Sequence, residues 1–233
     1  LPGPIAVLVA WLSRYDLILS HTQTTAIEIV LGLAVGTLFG VISAIVIAQV
    51  RRVRRWLLPV LVISQAVPVF AIAPLLVLWL GYGIISKIAM ASLIIYFPVT
   101  VAFLDGLRRT EAGWLDLAST MTAGATNRRW AVLLYIRIPA ALPALGSGIR
   151  VAAAVAPIGA VVGEWVGSSS GLGYLMLHAN ARVQVDLMFA ALATLAVLAL
   201  ALYYAIDWGL RRSMPWQREY LPDDSSGRDR REM

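Results

Sequence analysis

Hydrophobic positions along this chain gather into five runs, approximately 24–50, 57–80, 84–104, 140–166 and 187–210. Each is near or above the roughly 20 apolar residues that cross a bilayer. All five are predicted to be helices, because an open strand in lipid would leave backbone polar groups unpaired. The second run holds Pro59, Pro68 and Pro74 and the third holds Pro98, so kinks are expected there. Gly32, Gly36 and Gly40 in the first run, and Gly146, Ser147 and Gly148 in the fourth, make small-residue faces that let helix backbones approach closely. The pattern predicts an all-α membrane protein, a polytopic helical bundle with no internal repeat.

Polar stretches divide the rest. The opening LPGPIAVLVAWL is too short to cross, so residues 1–21 are expected as an outer interfacial segment. Residues 22–212 form the transmembrane domain, and residues 213–233 form a charged, proline-broken tail expected to be disordered. Within the domain, residues 105–139 form a polar, arginine-bearing segment between the third and fourth runs. A helix starting near Asp116 would offer Leu115, Leu117, Ala118 and Met121 to a groove on a partner. Gly124 permits a reversal, and a second helix over about 129–136 would lead through Ile136 into Pro139.

Composition agrees with the pattern: 60% of residues are hydrophobic, 14% are charged and mean hydropathy is +0.79. No cysteine is present, which excludes disulfides, thiolate metal sites and a cysteine nucleophile, and two histidines are too few for a histidine-rich centre. The net charge of +6 is not spread as a nucleic-acid footprint. Sixteen arginines fall at 51–55, in 105–150 and beyond 210, against Arg14, Lys87 and Arg182 elsewhere. The arginine-rich side is therefore expected to face the cytoplasm. Five spans then put residue 1 outside, and a further helix ahead of Leu1 would restore a cytoplasmic N-terminus.

Several short motifs run through the chain in order. They are Ser64-Gln65-Ala66-Val67-Pro68 with Ala73-Pro74-Leu75, then Tyr96-Phe97-Pro98, then Asp116-Leu117-Ala118, Gly124 and Ile136-Arg137-Ile138-Pro139. Gly163-Glu164-Trp165-Val166-Gly167 and Gly171-Leu172-Gly173-Tyr174-Leu175 follow. Together they resemble the permeases of ABC importers, in the branch serving sulfonates, taurine, nitrate and thiamine pyrimidines. The resemblance covers residues 1 to about 212. It implies the MetI-like ABC permease fold, with six helices in the family and five visible here. It also implies a second copy of the chain, two cytoplasmic ATP-binding subunits, an extracytoplasmic substrate-binding protein and a bacterial inner membrane. ATP and Mg would be bound by the partner ATPase, and no cofactor or metal by this chain.

The segment 105–139 resembles that family's EAA loop, the socket for the ATPase, so Asp116, Leu117, Ala118, Met121, Gly124, Ile136 and Pro139 become candidate coupling residues. Two departures stand out. Asp116-Leu117 replaces the leading Glu-Ala, and Asp116 precedes Ile136 by twenty residues, about four more than the family pattern.

Polar and aromatic groups inside the spans are costly in lipid and are weighed singly. Ser64, Gln65, Tyr96, Glu164 and Trp165 are candidate path-lining residues, against packing or interface roles. Glu28 sits where its carboxylate could reach water, and Arg150 reads as a charge at the cytoplasmic end. The outer Gly/Ser loop 167–173 lacks the Lys-Ser/Thr of a phosphate cradle, and His178, Asn180 and Arg182 after it suit protein contact better than metal ligation. No catalytic constellation is visible in the spans. An ATP-independent secondary transporter would call for inverted repeats or charged mid-membrane residues. For cargo, few fixed charges favour a small neutral or weakly basic heteroaromatic, a thiamine-pyrimidine precursor, with sulfonate, taurine or nitrate as the alternative.

Overall fold

The computed structural model describes residues 2–64, 67–121 and 128–216. Gln65, Gly124 and most of the tail lie outside that range, and the side chain of Ser64 is likewise not described. Among the described residues the chain is helical, with no strand.

The first helix, α1 (Pro4–Ser13), opens with proline at the position where a missing N–H costs nothing. After Arg14 alone, α2 (Tyr15–Gln49) runs for 35 residues, roughly 52 Å at 1.5 Å per residue. The expected boundary at residue 21 therefore falls inside a continuous helix. α1 lies beside the last long helix, α10 (Val185–Ser213), where the Trp11 indole donates to Thr194 Oγ1 at 3.1 Å.

The run 57–80 is not one continuous helix. It divides into α3 (Arg51–Ser64) and α4 (Val69–Leu80), with Val67 and Pro68 outside both helices. Pro68 has no N–H to donate and disfavours α geometry at the residue before it, so the break follows from the proline that suggested only a kink. Among the described residues, four helical stretches are each long and apolar enough to cross a membrane: Tyr15–Gln49, Ile84–Arg108, Arg128–Gly167 and Val185–Ser213.

Gly81, at φ +81°, turns the chain from α4 into α5 (Ile84–Arg108). The polar segment then folds as α6 (Ala112–Met121) and α7 (Arg128–Val132). α7 continues through a π-helical turn, Leu133–Arg137, into α8 (Ile138–Gly167). The second helix of that segment is thus the first part of the fourth span. The wide turn adjoins Pro139, whose missing N–H leaves the Tyr135 carbonyl without its α-helical donor. α9 (Leu172–Ala181) is a short helix between α8 and α10.

α5 is the central post, set between α2 and α8. It runs parallel to α2: a Cβ added to Gly36 would lie 2.8 Å from Ile95, and one on Gly40 2.9 Å from Val99. It runs antiparallel to α8, where Gly148, Gly159 and Gly163 approach Val99, Ala91 and Lys87 in turn. Ala91 is pressed from both sides, by Gly32 of α2 and Gly159 of α8. In lipid, where burying apolar surface against another helix gains little, such contact of small residues is a main source of cohesion. Large apolar side chains such as Phe39, Leu78, Leu200 and Trp208 point outward.

Candidate functional site

Two assemblies of side chains lie at opposite ends of the bundle. At the arginine-rich end, α6 folds back towards the π-helical turn and leaves an apolar cavity of about 480 Å³. Trp114, Leu117, Ala118 and Met121 line it from α6, and Tyr135, Ile136 and Ala140 from the other wall. Ala118 is buried, while Trp114, Leu117, Met121 and Tyr135 are 57%, 52%, 78% and 81% exposed. Four of the seven candidate coupling residues, Leu117, Ala118, Met121 and Ile136, thus share one concavity. Asp116 is exposed on α6 without lining it, Pro139 is exposed in the first turn of α8, and Gly124 lies outside the described residues. Nearby, Arg150 of α8 and Arg211 of α10 both donate to Asp207, at 2.6 and 2.8 Å. Arg150 is therefore held between helices and does not stand free at the headgroups.

The opposite end holds a buried polar core. Glu28 of α2 is 0% exposed, and its Oε1 accepts from Lys87 Nζ of α5 at 2.7 Å. Glu28 therefore does not reach out to water. Glu164 of α8, 1% exposed, accepts from the Thr25 hydroxyl at 2.6 Å and from the backbone N–H groups of Gly173 and Tyr174. Leu172 N–H donates to Thr25 Oγ1 at 2.8 Å and Gly171 N–H to His21 Nδ1 at 2.9 Å.

The N-terminus of α9 is thereby capped entirely by other elements. The first N–H groups of a helix have no partner within it, and a carboxylate there also meets the positive end of the helix dipole. Gly171 sits at φ +113°, and a Cβ there would run into the Glu164 carboxylate; one on Gly173 would lie 2.8 Å from Glu164 Oε2. The two glycines of the Gly-Leu-Gly-Tyr motif are what let the carboxylate in. Trp165 is fixed beside them by its indole N–H donating to Gly173 O at 3.0 Å, and packs edge-on to Phe70 with ring centres 6.3 Å apart.

Of the candidate path residues whose side chains are described, Glu164 and Trp165 come together and Tyr96 does not. Tyr96 is half-buried midway along α5, packed against the apolar cluster that holds Phe103 and Leu107. Gln65 lies outside the described residues. His21, Thr25 and Lys87 are the residues sequence reading left out. His21, Thr25 and Glu28 fall on one helical face that continues through Gly32, Gly36 and Gly40, a polar-then-small stripe visible in the spacing itself.

A multi-pass bundle of close-packed helices, with an exposed amphipathic helix set against one end, is the architecture of a transport permease. The chain belongs to the family of binding-protein-dependent transport system inner membrane components, whose model matches residues 36–218. Among its relatives is a "probable ABC transporter permease protein" of Haemophilus influenzae, 60% identical over 211 residues, 91% of this chain and 84% of the relative. The formylaminopyrimidine transport permease protein ThiX of Halalkalibacterium halodurans is 36% identical over 94% of this chain and 86% of its own length. The taurine transport system permease protein TauC of Escherichia coli is 30% identical over 85% and 71%. The crystal structure of an amino acid ABC transporter with histidines shares the fold, with a TM-score of 0.69 over 88% of this chain and 97% of that one at 16% identity. This is a MetI-like ABC permease of the bacterial inner membrane, and its relatives are named as transport permeases, not enzymes.

Proposed function

We propose that two copies of this chain form the translocation path of an ATP-driven importer, with two cytoplasmic ATPase subunits and an extracytoplasmic substrate-binding protein. The observation that carries this reading is the exposed apolar cavity between α6 and the π-helical turn at the arginine-rich end. An apolar groove with Trp114 and Met121 on its rim suits a rigid protein partner. The positive-inside rule puts that end in the cytoplasm, where an ATPase would be. Because α7 continues into α8, a push on the groove acts directly on the span that carries Glu164. ATP and its Mg ion belong to the partner subunit in this scheme.

For cargo, a thiamine-pyrimidine precursor is the reading favoured by the similarity to a formylaminopyrimidine permease over 94% of this chain. The 30% identity to a taurine permease keeps taurine, with sulfonates and nitrate, as the second reading. The cognate substrate-binding protein decides between them. Tight binding of a hydroxymethylpyrimidine and none of a sulfonate is expected, and the reverse overturns the cargo while leaving the machine intact.

A further inference from the structure

The buried polar core has one open side. Beside it, at the end opposite the arginines, lies a cavity of about 310 Å³ reached by Tyr82, Lys87, Glu164, Trp165, Tyr174 and His178. The volume is at the lower end of small-molecule sites, roughly 300–1,000 Å³, and suits a single ring better than a larger cofactor. Part of its wall carries rings, and residues 167–169 of the Gly/Ser loop line another part. Trp165 is fixed by its bond to Gly173 O, and the Tyr174 and His178 rings lie with centres 3.9 Å apart, tilted by 35°. Ring-bearing walls of this kind recognise flat, polarisable ligands by stacking and edge contacts.

The charges point the same way. Lys87, the one lysine or arginine among the described residues that line the cavity, has its ammonium engaged at 2.7 Å by the buried Glu28. Glu164 stands on the same wall with its carboxylate taken up by Thr25 and the start of α9. Glu28 and Glu164 face each other within the core. Two carboxylates therefore accompany one ammonium. A sulfonate or nitrate would need a cation to spare, and would be placed among acceptors. A neutral ring carrying an amino donor meets no such penalty.

We infer that this cavity is an outer subsite for cargo, that it takes a small neutral heteroaromatic bearing a hydrogen-bond donor, and that Glu28 excludes anions by occupying Lys87. The inference rests on the importer reading for its role, but its chemistry is tested by binding alone. The full chain in lipid nanodiscs is titrated with 4-aminopyrimidine and, separately, with methanesulfonate, each followed by equilibrium dialysis. Saturable binding of the aminopyrimidine and none of methanesulfonate is expected. Trp165→Ala and Tyr174→Leu should each weaken it by about tenfold, the scale of one lost aromatic contact. Glu28→Gln should let methanesulfonate bind by releasing the Lys87 ammonium. Absent aminopyrimidine binding, binding indifferent to both aromatic substitutions, or methanesulfonate binding to the unaltered chain would each overturn the assignment. ATP-dependent uptake by the assembled transporter would survive all three outcomes, so failure of the subsite is distinct from failure of the importer reading.

Discussion

Four consecutive backbone N–H groups, Gly171 to Tyr174, meet His21, Thr25 and Glu164 before α9 makes its first internal bond, Leu175 N–H to Gly171 O. Removing Glu164 leaves two of these donors in a buried site, at about 1–3 kcal/mol each. Glu164→Ala should therefore lower the melting temperature of the detergent-solubilised protein clearly, and Glu164→Gln, which keeps an acceptor oxygen, by less. Equal losses would count against the capping role. The Glu28–Lys87 pair makes a second demand. Glu28→Ala strands a buried ammonium, a loss of about 3–5 kcal/mol, and adding Lys87→Met should recover most of it. A double variant no more stable than Glu28→Ala would show that the pair is not coupled. At this scale the sequence was only partly legible. Glu28 and Lys87 stand 59 residues apart, and hydropathy alone assigns each to water at a helix end. Only their juxtaposition by the parallel α2–α5 packing makes them partners.

Between helices, contact depends on having no side chain at chosen points. A Cβ on Gly159 would lie 2.7 Å from the Ala91 Cα, a backbone atom that cannot turn away. Gly159→Val should force α5 and α8 apart and sharply reduce the yield of folded protein. Gly209 of α10 has nothing within 4 Å of an added Cβ, so Gly209→Ala should be neutral or slightly stabilising, since glycine is the poorer helix former by about 0.5–1 kcal/mol. Size-exclusion profiles and thermal melts of the two variants side by side test this, and similar profiles for both would refute the packing register. The glycine faces of α2 and the long apolar runs were readable because each is a local pattern. The split of 57–80 was not, because counting apolar residues does not register that Pro68 ends a helix as readily as it bends one. Nor was the continuity of α7 with α8, since prolines at 139 and 143 look like a stop when the π-helical turn that absorbs the first is out of view.

Across the whole molecule, the groove at one end and the polar core at the other are joined by α7, the π-helical turn and α8, the continuous stretch Arg128–Gly167. Motion imposed at Ile136 has a continuous helical route to Glu164 and the cap of α9. Charge placed in the groove, as in Leu117→Glu or Met121→Glu, should weaken ATPase association and leave membrane insertion intact, because both side chains are exposed outside the spans. Bulky replacements at Ala118 or Gly124, or charge reversal at Asp116, should uncouple ATP hydrolysis from transport. The most direct measurement of the central claim is uptake into proteoliposomes holding this chain, its cognate ATPase and its binding protein. Uptake should require ATP on the ATPase side and cease when the ATPase is omitted. Accumulation by this chain alone, driven by an ion gradient, would contradict it.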